Sequence, residues 1–399
     1  MLANFHEERR VGLIVASFAA GALFFFLYGI ARYPGYGLDE TNYVGSARAL
    51  IDSTSTWKPD HPPLGKSLIA AGIRFAGDNA LGWRVSSAVA GALTLAAIML
   101  LTYALLHSVE YMVIAGLLTL FDNFLFVMSR IAMLDAFLML FLFWGYLFFL
   151  VAVATEYDRR TRSICLLLSG TFLGLATACK WNGLFSIAAL TLIGFIVYLR
   201  QRNFSLPLLL ISFSLVPAMA YSATFLALFR ALGKPFTLSN LVGAQVEMYH
   251  FMKSIPGNPY LNVPWYHWPF QIEPTRVLNF LVGNYAVTFG GFLALGICIW
   301  RLARRFAVPE FTIVALYFVN WLQWLAIPRK LMCYYYYYPC TLLLGLALVF
   351  AFARWDRKLL FGMRISLIPV IAAIVVFTFC FPHMANLQAP WDTALGYWR

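Results

Sequence analysis

Residues 131–153 read IAMLDAFLMLFLFWGYLFFLVAV. One charge, Asp135, lies near the N-terminal end, and everything after it is apolar or aromatic. The apolar residues are continuous, so the stretch has neither the alternation of a half-buried strand nor the single stripe of a surface helix. As a helix it covers the roughly 30 Å hydrocarbon core of a bilayer. Inside a bilayer every backbone N–H and C=O must be satisfied internally, which leaves only helices and closed barrels. Continuity selects the helix.

Runs of the same kind lie on both sides of this one, at 11–31, 80–106, 111–127, 164–179, 183–199, 206–230, 277–300, 309–327, 334–353 and 362–381. The expected fold is an all-α polytopic membrane protein. It forms one integral-membrane domain over 1–399, with about eleven transmembrane helices and interfacial helices in two large outer loops. Composition agrees: 62% of residues are hydrophobic, 12% are charged and the mean hydropathy is +0.75. A soluble domain carries about twice that charge. The run at 11–31 is long for a leader, so it is expected to remain as a span. The six cysteines lie in or beside apolar runs without paired spacing and read as packing residues. There is no internal repeat.

Basic residues set the orientation. Arg9 and Arg10, then Arg159, Arg160 and Arg162, then Arg200 and Arg202, then Arg301, Arg304 and Arg305, then Arg354, Arg357, Lys358 and Arg364 fall in alternate connections. The positive-inside rule makes that side cytoplasmic and puts the tail with Trp391 outside. Fifteen of the 29 basic residues remain unexplained by topology, among them Arg84, Arg130, Lys180, Arg329 and Lys330 where spans meet the outer interface. Snorkelling or lipid headgroup contact accounts for any one of them. As a set at the outer ends of spans they point to an anion, and in a membrane that anion is a lipid phosphate.

The outer loops cover 32–79 and 231–276, and stretches such as 41–51 and 63–75 read as interfacial helices. Asp39-Glu40 follows a Pro-Gly-Tyr-Gly turn just after the first span. Such a pair commonly starts a helix, Asp39 capping it and Glu40 favouring its dipole. In a chain this poor in acids, facing the outer cations, it is also a candidate catalytic pair. His61-Pro62-Pro63-Leu64-Gly65-Lys66 is stiffened by two prolines, and Gly65 allows close approach. It reads equally as a rigid entry into a helix and as a holder of His61 and Lys66 at the interface.

Asp122-Asn123 and Ser129-Arg130-Ile131-Ala132-Met133-Leu134-Asp135 straddle the outer ends of two spans. Ionisable groups at that depth are costly unless paired, so Asp122, Arg130 and Asp135 are either structural pairs or site residues. Lys180-Trp181-Asn182 is a lone ammonium beside an aromatic ring. Pro328-Arg329-Lys330 precedes five consecutive tyrosines at 334–338, which on a helix face every direction. In the second outer loop, Tyr249 and His250 with Trp265 and His267 read as aromatic cover over an acceptor or sugar. Glu247, His250 and His267 lack a metal-ligand spacing, so no metal is expected.

This ordered set resembles the protein O-mannosyltransferases, membrane glycosyltransferases of the GT-C class. The resemblance rests on Asp39-Glu40, the His61–Lys66 stretch, Gly82-Trp83-Arg84, Asp122-Asn123, 129–135 and Ala178-Cys179-Lys180-Trp181. The stretches at 264–269 and 328–339 are similar to the bacterial branch. It implies a dolichyl- or polyprenyl-phosphate sugar donor, attack by an acceptor hydroxyl with inversion at the anomeric carbon, Asp39 as catalytic residue, and no metal or other cofactor. Two departures stand out. The loop at 231–276 lacks the soluble insert of eukaryotic members, and Phe121 stands where the family commonly has Leu.

The expected activity is thus transfer of a sugar, mannose by resemblance, from a polyprenyl-phosphate carrier to a hydroxyl, with protein Ser or Thr first and a lipid or glycan acceptor as the alternative. Asp39 would be general base and Glu40 would orient acceptor or sugar. His61, Lys66, Arg84, Asp122, Arg130, Asp135, Lys180, Arg329 and Lys330 form the pool for donor phosphate and sugar. The expected place is a bacterial inner membrane, with the site on the periplasmic side. Membrane lipids are expected partners and nucleic acid is not. A transporter would instead carry ionisable residues at mid-span and broken helices in paired halves. A non-catalytic scaffold would leave the acidic pair and the outer cations without a role.

Overall fold

The computed structural model describes residues 2–32, 34–54, 56–201, 204–257, 262–270, 281–327, 329–353, 359–360 and 363–385. Arg202, Arg276, Arg354, Arg357, Lys358 and Trp391 lie outside them, as does the end of the second outer loop.

The described chain is helical apart from one two-residue antiparallel ladder, Leu359–Leu360 against Met363–Arg364. The helices are α1 (Leu2–Leu27), α2 (Glu40–Asp52), α3 (Leu64–Ala76), α4 (Ala80–Leu106), α5 (Val109–Leu120), α6 (Asn123–Met128), α7 (Leu134–Val153), α8 (Arg159–Cys179) and α9 (Gly183–Arg200). They continue with α10 (Leu206–Phe213), α11 (Leu215–Ala223), α12 (Phe225–Ala231), α13 (Leu238–Ser254), α14 (Tyr285–Arg304), α15 (Val308–Leu322), α16 (Tyr338–Phe352) and α17 (Leu367–Ala385).

Eight of these stretches are long and apolar enough to cross a membrane. The other three expected spans are helical but shorter, for local reasons. The run at 111–127 divides because Asp122 accepts the Leu125 N–H at 2.9 Å and starts a new helix, α6. α15 is 15 residues long and carries Glu310. The last run is an apolar helix of intermediate length. The apolar stretch 206–231 crosses as three pieces, α10 to α12, interrupted at Ser214 and Thr224, with Pro217 in the middle piece.

α4 and α7 form the centre. α4 packs against α1, α3, α5 and α7, and α7 packs against α8. Close approach depends on small residues. A Cβ on Gly72 would meet the Gly82 carbonyl at 2.5 Å, which holds α3 tight against α4. A Cβ on Gly65 would lie 2.7 Å from Leu134, so the glycine of the proline-stiffened stretch is what lets α3 reach α7.

Two ends of the bundle differ in chemistry. At one end, contacts run from helix to helix through arginine-rich connections. His107 meets Glu156 at 3.0 Å, Arg162 donates to Gln201 at 3.1 Å, and Arg200 lies 3.9 Å from the Phe306 ring centre. Arg301 donates to the Phe350 and Ala351 carbonyls, and Arg364 pairs with Glu110. At the other end lie α2, α3, the junction before α7, the junction between α8 and α9, and the approach to α16. Both expected interfacial stretches, 41–51 and 63–75, are helices there.

Candidate active site

Asp39 stands at the N-terminal boundary of α2 but makes no side-chain cap. Its carboxylate turns to the far end of the sequence. Tyr335 Oη donates to Oδ2 at 2.8 Å, and Tyr43 Oη approaches the same oxygen at 3.5 Å. Asp39 stays partly open to solvent, yet dense surrounding protein raises its carboxyl above the usual carboxylate range. Burial is the main cause; the Tyr335 hydrogen bond and the charge of Lys180 oppose it.

Glu40 differs from its neighbour. It is fully buried and both oxygens are occupied. Oε1 accepts Arg84 Nε at 2.8 Å and the Ala132 N–H at 2.6 Å; Oε2 accepts Arg84 Nη2 at 2.8 Å and the Gly37 N–H at 2.6 Å. Arg84, also fully buried, adds bonds to the Ile30 and Gly35 carbonyls. Glu40 and Arg84 therefore tie together the loop before α2, α4 and the turn before α7. Against the expectation that Glu40 orients substrate and Arg84 holds phosphate, the structure gives their polar atoms to each other and to backbone.

Arg130 is also tied to backbone, through Nη1. Its Nη1 donates to the Phe26 and Tyr28 carbonyls, each at 2.7 Å, and to Phe25 at 3.5 Å. It closes the C-terminal end of α1, whose last carbonyls have no helical partner. Asp122 acts as the cap of α6. Neither pairs with the other.

Asp135 and Lys180 form a buried ion pair of 2.7 Å. The Lys180 ammonium also lies 5.4 Å and 5.3 Å from the ring centres of Tyr335 and Tyr336. Lys66 is fully buried, bonded to Asp60 and to the Lys58 carbonyl, and 4.0 Å from the Trp57 ring centre. Burial lowers its pKa and Asp60 offsets this. His61 faces the Tyr43 ring at 6.1 Å. Its pKa is held well below the ordinary histidine range, first by burial and then by the charges of Lys180, Arg329 and Lys66. Lys180, Arg329 and Lys66 thus all stand close enough to His61 for their charge to reach it.

Arg329 is the least committed of them. It donates to Tyr336 Oη at 2.7 Å and to Met252 Sδ at 3.4 Å, and has no carboxylate partner among the described residues. Lys330 is exposed. In the second outer loop Tyr249 and His250 are exposed on α13, while Trp265 packs on Trp321 with ring centres 5.7 Å apart. His267 lies against Tyr266. No three His, Cys, Asp or Glu side chains group together among the described residues.

Asp60 and Trp324 escaped the sequence reading, and Trp268 and Tyr336 were visible only as members of aromatic stretches. Asp60 stands directly before His61 and six residues before Lys66, a spacing no motif marks. Trp268, Trp324 and Tyr336 form an aromatic cluster behind Arg329; Trp324 and Tyr336 stack at 4.5 Å with 8° between planes. Only their apolar-aromatic character is visible in sequence.

The family model for dolichyl-phosphate-mannose-protein mannosyltransferase matches residues 75–233. A polyprenol-phosphate-mannose–protein mannosyltransferase of Mycobacterium tuberculosis is 25% identical over 93% of this chain and 83% of its own length. One from Mycolicibacterium smegmatis is 25% identical over 85% and 82%. The chain is thus similar to protein O-mannosyltransferases over most of its length.

Solved structures agree on the fold. The S. cerevisiae protein O-mannosyltransferase Pmt1-Pmt2 complex bound to the sugar donor superposes with a TM-score of 0.77, at 14% identity, over 96% of this chain and 93% of that one. ArnT from Cupriavidus metallidurans bound to undecaprenyl phosphate gives 0.63, at 15% identity, over 93% and 76%. These likenesses make the chain a membrane glycosyltransferase by its relatives and GT-C by its fold. The matched segment 75–233 contains Arg84, Asp122, Arg130, Asp135 and Lys180, while Asp39 and His61 lie before it.

Proposed function

We propose that this chain transfers mannose from a polyprenyl-phosphate carrier to a Ser or Thr hydroxyl of a protein, with inversion, on the extracytoplasmic side of a bacterial inner membrane. The observation that carries the reading is a partly exposed carboxylate, Asp39, held in one site with His61, Lys180 and Arg329. Curated relatives act from polyprenol-phosphate-mannose on protein, and related folds bind sugar donor or undecaprenyl phosphate. The arginine-rich end of the bundle supports a cytoplasmic assignment, which leaves the site outside.

The chemistry follows from where charge develops. The acceptor oxygen attacks the anomeric carbon while Asp39 takes its proton. The bond from that carbon to the carrier phosphate breaks, and the phosphate leaves with the electron pair. Arg329 and Lys180 face the added negative charge, and His61 lines the same space. Glu40, Arg84, Arg130 and the Asp60–Lys66 pair hold the framework. The fixed cations supply the charge stabilisation that a divalent ion gives other transferases, so no metal or other cofactor is required.

Purified protein in lipid nanodiscs tests this, given polyprenyl-phosphate-mannose and a Ser/Thr-rich peptide. Mannosyl peptide and free polyprenyl phosphate should appear in equal amounts, with turnover unchanged by a chelator. Carrier release only with a lipid or glycan acceptor would overturn the protein acceptor; loss of turnover on chelation, restored by metal, would overturn the metal-free chemistry.

A further inference from the structure

The Asp39 carboxylate is asymmetric. Oδ2 takes the Tyr335 hydroxyl at 2.8 Å and lies 3.5 Å from Tyr43 Oη. Oδ1 accepts no hydrogen bond among the described residues, and Asp39 is partly open to solvent. The tyrosine on Oδ2 is fixed by the run it belongs to. Tyr334–Tyr337 is a 3-10 helix, whose three residues per turn aim consecutive rings in different directions. Tyr334 packs on Phe124 with centres 5.2 Å apart, Tyr336 stacks on Trp324, and Tyr337 bonds Tyr317 at 2.8 Å. Tyr338, starting α16, stacks on Phe124 at 6.0 Å. Tyr334, Tyr337 and Tyr338 are thus anchored in the core and Tyr336 is held between Trp324 and Arg329, while the Tyr335 hydroxyl is bonded to Asp39.

We propose that Tyr335, backed by Tyr43, is a positioning residue for the transfer: it holds Oδ2 so that Oδ1 is the oxygen that meets the acceptor hydroxyl and takes its proton. This rests on Asp39 being the base. A freely rotating carboxylate would offer either oxygen, in varying orientation. A tethered one presents a single oxygen in a fixed direction, the condition for efficient proton transfer. The donated hydrogen bond also favours the ionised carboxylate. That matters here because burial and the negative charges of Asp60 and Asp135 work the other way, and Lys180 is the other stabilising influence. The titratable groups around Asp39 are Tyr43 on α2, Asp60 and His61 between α2 and α3, Asp135 on α7, Lys180 before α9, and Arg329, Cys333, Tyr335 and Tyr336 on the approach to α16.

The test is the pH profile of kcat/KM, read as released polyprenyl phosphate, for wild type, Tyr335→Phe, Tyr43→Phe and Tyr337→Phe. Loss of the Tyr335 hydroxyl should move the acidic limb toward alkaline pH by about one unit, so that activity below the limb falls roughly tenfold while KM for the donor holds. Tyr43→Phe should give a smaller shift in the same direction. Tyr337→Phe removes a hydroxyl bonded elsewhere in the same helical turn and should leave the limb in place. Should Tyr335→Phe fold poorly, 3-fluorotyrosine at position 335 keeps ring and hydroxyl but donates more strongly, and the limb should move toward acid. A limb that stays put in the Phe and fluorotyrosine proteins, with only a uniform fall in rate, would overturn the proposal. Asp39→Asn in the same series separates the two ideas. Inactive Asp39→Asn with an unmoved Tyr335→Phe limb rejects only the tyrosine, whereas active Asp39→Asn rejects the base itself.

Discussion

Asp39 and Glu40 are neighbours in sequence with separate roles. Successive positions at a helix start point about 100° apart, so one carboxylate looks into the open site and the next into the bundle. Glu40→Gln should therefore destabilise the fold by about 3–5 kcal/mol, because it leaves the buried Arg84 without its charge partner. Thermal unfolding in detergent checks this, and a stable but inactive Glu40→Gln protein would return Glu40 to a catalytic role. At the phosphate, Arg329→Ala should weaken donor binding roughly ten- to hundredfold, the worth of a charge-assisted hydrogen bond; unchanged donor affinity by titration would remove Arg329 from the phosphate site. Because burial raises the Asp39 carboxyl, the acidic limb of kcat/KM should lie above the ordinary carboxylate range.

Among these residues, Asp39 stood out in sequence as a candidate because its acidic pair follows a membrane span in a chain poor in acids. Its partner Tyr335 did not, since nothing in sequence connects positions 296 residues apart. The outer cations were legible as a set and not as individuals. Arg84, Arg130 and Arg329 look alike in sequence, and the tertiary contacts alone assign one to Glu40 and one to the end of α1, and leave the third without a carboxylate partner among the described residues.

The elements were read well where hydrophobic continuity decides and poorly where a single polar atom does. Among the described residues each of the eleven apolar runs contains a helix. The division of 111–127 depends on Asp122 capping α6, and the interruptions of 206–231 on local backbone geometry, neither of which a hydropathy window detects. Arg130 shows the consequence at this scale. Removing it leaves the last carbonyls of α1 without donors, at about 1–3 kcal/mol for each buried group left unsatisfied. Arg130→Ala should lower the melting temperature and loosen α1, measured as faster hydrogen exchange over residues 22–30, with donor affinity retained in the folded fraction. Intact stability with lost donor binding would contradict the capping role.

At the scale of the molecule, the bundle has an arginine-rich end and a site end, built from both halves of the chain. Asp39 arrives from the loop after α1, Lys180 from the junction before α9, and Tyr335 and Arg329 from the approach to α16. The site therefore depends on segments far apart in the chain being packed together. The two ends give a topology test. A cysteine at exposed Lys234 should react with a membrane-impermeant maleimide on intact spheroplasts, and one at exposed Arg160 only after lysis; the reverse pattern would invert the protein.

The most direct measurement compares wild type with Asp39→Asn, both purified and folded, supplied with polyprenyl-phosphate-mannose and acceptor peptide. The variant should bind donor with wild-type affinity and lose about 10²–10⁴-fold in the rate of polyprenyl phosphate release, the range expected for removal of a general base. Turnover at the wild-type rate would show that another group takes the acceptor's proton and would contradict the assignment of Asp39.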